Sequence, residues 1–167
     1  MRLFFALFPP PEAARQLAQW ARQVAGETLG KPVRAAHIHL TLAFLGDADG
    51  GRAIEAARQV RGDAFELPIE IARYWKHNRI VWAGPERTPA ALERLVKALQ
   101  LELYRAEFIL ERRPFAAHVT LVRKARDPES LPALPRVDWQ VSELLLMQSR
   151  LAAAGSTYKV GARFPLR

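Results

Sequence analysis

The chain contains no cysteine, which excludes disulfides, zinc–thiolate centres, iron–sulfur clusters and thiol nucleophiles from its chemistry. It also lacks any apolar run near the ~18 residues that a membrane-spanning helix needs. The opening stretch Arg2-Leu3-Phe4-Phe5-Ala6-Leu7-Phe8, cut off by Pro9-Pro10-Pro11, is too short for a secretory leader and has no small-residue cleavage site. It reads as a buried strand, and the protein is expected in the cytoplasm without a membrane partner. Lysine is scarce: of 25 basic residues only five are Lys and 20 are Arg, against 17 acidic residues, for a net charge of +8. Arginine's planar fork of donors matches phosphate oxygens, and a basic surface attracts polyanions, nucleic acid or an anionic membrane face. GC-rich coding produces the same bias, so composition suggests a phosphate-bearing partner without establishing it.

What remains is a folded-protein composition, half apolar and one quarter charged, over 167 residues. That length suits one domain or two small lobes around one core. Pro11 opens a helix whose Leu17, Trp20, Ala21 and Val24 share one face, with Gly26 and Gly30 ending it. An extended segment follows over His37–Leu45. Ala53, Ile54, Ala57 and Val60 mark a second amphipathic helix, stopped near Gly62. Leu67, Ile69 and Ile71 alternate, and Ile80-Val81-Trp82 follows a polar turn, which predicts a hairpin. Thr88-Pro89 predicts a third helix start, hydroxyl cap then proline, with Leu92, Leu95, Val96, Leu99 and Leu103 as its buried stripe. Then come an extended Ala117–Val122, a proline-rich connection over 128–135, and strands near Val141–Met147 and Tyr158–Phe164. Strands and helices alternating through hairpin-like turns argue for an α+β fold with mostly antiparallel sheet.

The two halves echo one another in His39-Leu40-Thr41-Leu42 and His118-Val119-Thr120-Leu121. With four His and five Thr in the chain, only about 0.1 His-x-Thr matches are expected by chance. In a strand, residues i and i+2 point to the same face about 6.6 Å apart, so each motif projects an imidazole and a hydroxyl together while its apolar residues bury behind. Neighbouring strands would bring all four polar side chains into one cleft. A neutral and a cationic imidazole can take a proton from one oxygen and give one to another. Two hydroxyls suit an oxygen-rich anion, and in-line phosphoryl transfer needs these parts and no covalent protein intermediate. No metal cage is apparent, so the acid–base work falls to the imidazoles. A strained cyclic phosphodiester is a substrate that so modest an apparatus could open.

These paired motifs resemble those of the 2H phosphoesterases, and most of all the RNA 2′,3′-cyclic phosphodiesterases, or 2′-5′ RNA ligase-like proteins. The resemblance runs through almost the whole chain, including Arg2–Leu7, His39–Gly46, Val81–Gly84, Pro114–Arg123, Leu145–Leu151, Gly155–Tyr158 and Phe164–Leu166. It implies one domain of two pseudo-symmetric lobes, each giving one motif to a central cleft. It further implies hydrolysis of a terminal 2′,3′-cyclic phosphate to a 2′-phosphomonoester, on RNA or small cyclic nucleotides, by a metal-independent, cofactor-free monomer. By that resemblance His39 is the proton donor and His118 the proton acceptor, while Thr41 and Thr120 hold the non-bridging oxygens. The family carries an arginine where this chain has Arg123, a phosphate ligand by analogy, although strict alternation from Thr120 turns it to the opposite face. The reverse reaction, 2′-5′ ligation, and a non-catalytic RNA-end clamp are the alternative readings.

Other residues carry weaker signals. His37, His39 and His118 could form a three-imidazole zinc site, a reading that leaves both threonines unexplained. His77 lies in a polar turn and is expected at the surface. Phe44, Phe115 and Tyr158 suit either base stacking or packing. Arg112-Arg113 and Arg123-Lys124-Ala125-Arg126 suit either a solvated face or RNA-backbone contacts.

Overall fold

The structure is a computed structural model that describes residues 2–167. Its strands and helices run in the order β1 (Arg2–Leu7), α1 (Pro11–Thr28), β2 (Lys31–Pro32), β3 (Leu40–Asp47), α2 (Gly50–Arg58), β4 (Phe65–Glu66), β5 (Ile71–Trp75), β6 (Ile80–Gly84), α3 (Ala90–Arg105), β7 (Val119–Arg123), β8 (Gln140–Val141), β9 (Glu143–Ala152) and β10 (Gly155–Pro165). One sheet carries the order β10-β9-β1-β3-β7-β6-β5, with β2 also on β7; β4 and β8 form a separate pair. The described pairings are antiparallel, so the fold is α+β with mostly antiparallel sheet.

The centre of this sheet has a two-fold logic. In the order β1-β3-β7-β6, the unit β1–α1–β3 meets the unit β6–α3–β7 at a single ladder pair, Leu40 with Val119. Both residues are fully buried, each contributing about 1.5–3 kcal/mol of apolar burial. Packing, more than the ladder, holds that junction. The helices reach across it: α1 lies against β7, and α3 touches β3.

All three helices bury their apolar stripes in one core with Leu3, Phe5 and Leu7 of β1. The alternate residues Phe4 and Ala6 face the other way and pack with Leu145 and Met147 of β9. Helices thus cover one face of the sheet, and the other stays open for chemistry.

Several local expectations need correction. Gly26 lies inside α1, which continues to Thr28. Gly30 matters because a Cβ there would sit 2.5 Å from Val122 Cγ1 and 2.9 Å from the Arg123 carbonyl, so only glycine lets the end of α1 approach β7. Helix α2 stops at Arg58 and begins on Asp49, whose carboxylate accepts from the N–H groups of Gly51 and Arg52. Pro89 takes the N-cap position of α3, φ −58° and ψ 141°, with no side-chain cap; Thr88 falls one residue outside capping reach. Leu67 and Ile69 are buried but lie between β4 and β5, outside the hairpin they were expected to extend. The proline-rich connection is pinned by Trp20, whose Nε1–H reaches the carbonyls of Pro132 and Ala133 at 3.3 and 3.1 Å.

Candidate active site

His39 and His118 each stand one residue before a central strand, at the entrance to β3 and to β7. The chain there is not yet paired, so a backbone carbonyl two residues back is free to bind the ring. His39 Nδ1–H donates to the His37 carbonyl at 2.6 Å, and His118 Nδ1–H to the Ala116 carbonyl at 2.8 Å. A carbonyl can only accept, so both rings carry hydrogen on Nδ1 and act through Nε2.

The Leu40–Val119 pair fixes the rest. Antiparallel register places Thr41 across from His118 and His39 across from Thr120. Cross-strand Cβ atoms lie about 4.5–5.5 Å apart and same-strand ones about 6.6 Å apart. Two imidazoles and two hydroxyls thus occupy alternate corners of a small quadrilateral on the open face. Both threonines are half-buried, and neither hydroxyl bonds to another described residue. Glycine supports the second corner: a Cβ on Gly84 would meet the Ala117 carbonyl at 2.7 Å, so the segment entering His118 can run against the end of β6 only because Gly84 has none.

Both motif strands carry an extra residue directly after the threonine. Against β1, Ala6 pairs with Thr41 but Phe5 pairs with Ala43; against β6, Trp82 pairs with Thr120 but Val81 pairs with Val122. Each step skips one residue on the motif strand, Leu42 or Leu121. Such bulges re-aim the side chains that follow. Leu42 and Ala43 are both buried, as are Leu121 and Val122, and alternation resumes one residue late. Phe44 and Arg123 therefore return to the face of Thr41 and Thr120. Strict alternation would have turned Arg123 away; the bulge reverses that. Its charge reaches His39, where it adds to the forces that lower the imidazole pKa.

The two histidines live in different surroundings. The His39 ring lies 5.1 Å from Phe8, 5.2 Å from Phe4 and 5.6 Å from Tyr158, centroid to centroid. Burial in this aromatic cage is the largest effect on its pKa, which falls to about 4. The hydrogen bond to the His37 carbonyl opposes that fall, and the charges of Arg123, His37 and His118 add to it. His118 instead has Trp75 at 4.7 Å and Trp82 at 6.4 Å. It opens on a cavity of about 490 Å³ shared with Thr41, Phe44, Trp75 and Phe115.

His37 does not join the strand face. It ends a 3₁₀ turn over Ala35–His37, its ring sits 4.3 Å from Tyr158, and its Nε2 accepts from Arg34 at 3.3 Å. Burial and the Arg34 charge hold its pKa below the usual histidine value. That guanidinium beside the ring disfavours the zinc alternative. Among the described residues no group of three His, Asp or Glu is placed to hold a metal ion. His77 is exposed, as expected, at the rim of the same cavity.

Of the expected residues, His39, Thr41, His118, Thr120 and Arg123 gather on one face. Phe44 and Phe115 line the cavity, and Tyr158 joins the cage. The sequence reading missed Phe4, Phe8, Trp75 and Trp82. Phe4-x-Ala6-x-Phe8 alternation was visible, but an all-apolar strand does not say which face meets the helices. Among the described residues no helix is long and apolar enough to cross a membrane.

Comparison with known proteins agrees with this geometry. A family model for LigT-like phosphoesterases matches residues 7–82. The RNA 2′,3′-cyclic phosphodiesterase of Escherichia coli is 34% identical over 99% of this chain and 96% of its own length. That of Thermus thermophilus is 31% identical over 100% of this chain and 91% of its own. The crystal structure of E. coli LigT complexed with 3′-AMP superposes with a TM-score of 0.91 at 31% identity, covering 99% of this chain and 97% of that one. With a relative of that identity aligned end to end and the paired motifs on its central strands, the chain belongs to the LigT-like phosphoesterases.

Proposed function

We propose that this protein hydrolyses the 2′,3′-cyclic phosphodiester at RNA 3′ ends, and in small cyclic nucleotides, to a 2′-phosphomonoester, working as a cytoplasmic monomer without a metal. The observation that carries the reading is the quadrilateral of His39, Thr41, His118 and Thr120, with both imidazoles anchored through Nδ1 and presenting Nε2. The curated relatives' activity on RNA cyclic phosphates supports the same reaction.

The phosphate sits between the two motifs, its non-bridging oxygens accepting from the Thr41 and Thr120 hydroxyls and facing the Arg123 guanidinium. Neutral His118 takes a proton on Nε2 as water's oxygen bonds to phosphorus. The P–O3′ bond breaks, and His39 gives its Nε2 proton to O3′. Exchange with solvent then restores both rings.

His39 must be protonated to do this, yet in the free protein it is held neutral at ordinary pH. The substrate's own charge resolves the conflict. An anion about 4 Å away at an effective dielectric near 20 is worth about 4 kcal/mol, and 1.36 kcal/mol moves a pKa by one. That lifts His39 from about 4 to the neighbourhood of neutrality. The cage thus makes the donor depend on the bound phosphate.

The test is hydrolysis of 2′,3′-cyclic AMP, with the product identified by NMR, after exhaustive chelation. Formation of 2′-AMP at an unchanged rate is expected. Loss of turnover that zinc restores would overturn the metal-free reading, and a purely 3′-phosphate product would overturn the assignment of the leaving oxygen.

A further inference from the structure

Where β3 and the chain entering β7 part company beyond Leu40 and Val119, the sheet opens into a V-shaped gap. That gap is the 490 Å³ cavity beside His118. Its size falls within the range that encloses a small organic ligand. Phe44, turned to this face by the bulge after Thr41, is 47% exposed and lines the cavity with Trp75 and Phe115. Arg2 lies over the Phe44 ring at 5.0 Å, so the platform is braced. An exposed aromatic ring that borders a phosphate-binding corner matches the flat face of a nucleobase.

The cavity also holds a polar group without employment. Gln100 reaches it from α3, and its half-buried side-chain amide makes no hydrogen bond to another described residue. A primary amide presents one acceptor and one donor side by side, the complement of adenine's N6 amino group and N7. On the corresponding edge uracil offers an acceptor alone.

We infer that this gap is the subsite for the terminal nucleoside of the substrate, with Phe44 as its stacking surface and Gln100 as the reader of an adenine edge. The inference rests on the proposed hydrolysis at the adjoining histidines and deepens it by naming the preferred 3′ nucleotide. Phe44 and Arg123 occupy equivalent places, three residues beyond each motif threonine. One half of the site grips the base and the other the phosphate.

The experiment compares kcat/KM for 2′,3′-cyclic AMP and 2′,3′-cyclic UMP in the wild-type chain, Gln100→Leu and Phe44→Leu. Thermal melts confirm that each variant folds. The wild type is expected to prefer the adenine substrate by about tenfold or more, within the range one well-placed hydrogen-bond pair gives. Gln100→Leu is expected to lose that preference by slowing the adenine substrate alone. Phe44→Leu is expected to raise KM for both by about tenfold, in the range of one lost base stack, with kcat kept. Turnover with no base preference in the wild type, or equal losses on both substrates in Gln100→Leu, would overturn the subsite while leaving the hydrolysis intact. No turnover of either substrate would overturn the hydrolysis itself, and the subsite with it.

Discussion

The two halves of the site share a backbone and differ in their surroundings. Each offers His-x-Thr-Leu at the start of a central strand, ties Nδ1 to a carbonyl two residues back, and bulges after the threonine. Around that common frame, His39 is enclosed by Phe4, Phe8 and Tyr158, whereas His118 borders an open cavity beside Trp75. The motif supplies the groups and their tautomer. The neighbouring strands decide when each group carries its proton. Duplicated sequence at the motif therefore does not mean duplicated chemistry.

The harshest way to break the comparison is to remove one half at a time. His39→Ala and His118→Ala should each lower turnover by roughly 10²–10⁴, the usual contribution of a positioned acid or base. The double variant should cost little more than the worse single one, because the pair acts as a unit. Near-normal turnover by His118→Ala in a steady-state assay would end the two-histidine account.

Stability against pH separates the halves without any substrate. Unfolded His39 takes up its proton near the usual value of about 6.5, while the folded ring waits until about 4. Between those values the unfolded chain binds more protons, so stability falls as pH drops through that window, by up to about 3 kcal/mol at its lower end. His39→Gln should remove that loss, and His118→Gln should retain it. The lowered pKa of His37 adds in the same direction in both variants. Parallel urea-denaturation curves for the two variants between pH 7 and 4.5 would show that the cage does not hold His39 neutral.

The threonines should show the smallest effect and the nearest symmetry. Each donates one hydrogen bond to a charged oxygen, worth about 1.5–3 kcal/mol, so Thr41→Val and Thr120→Val should each lose roughly 10- to 150-fold in kcat/KM. A loss confined to one of them in the same assay would show that the phosphate sits against one half only.

Much of this was legible in the sequence because periodicity reports burial. The stripes of α1 and α3, the β5–β6 hairpin and the paired motifs all follow from spacing. The bulges escaped because their signature is only a second buried apolar residue, Leu42-Ala43 and Leu121-Val122, where alternation asks for a polar one. That oversight left Arg123 assigned to the wrong face by alternation, and left Phe44 undecided between packing and stacking. The cage escaped because Phe4 and Phe8 sit in a strand apolar on both faces, and only the tertiary fold says that the helices cover one of them. The His37–His39 pair misled for a related reason: a 3₁₀ turn, stabilised locally over Ala35–His37, replaced the strand that would have set both rings on one face.

The central claim is that packing, not the motif, makes His39 a donor that is armed by its substrate. Imidazole resonances followed by NMR against pH, with and without saturating inorganic phosphate, test it most directly. In the free protein the His39 ring should remain neutral, with hydrogen on Nδ1, until the pH approaches about 4, and phosphate should move that transition well upward. A His39 ring that titrates at the ordinary histidine value in the free protein, or that ignores bound phosphate, would contradict the account.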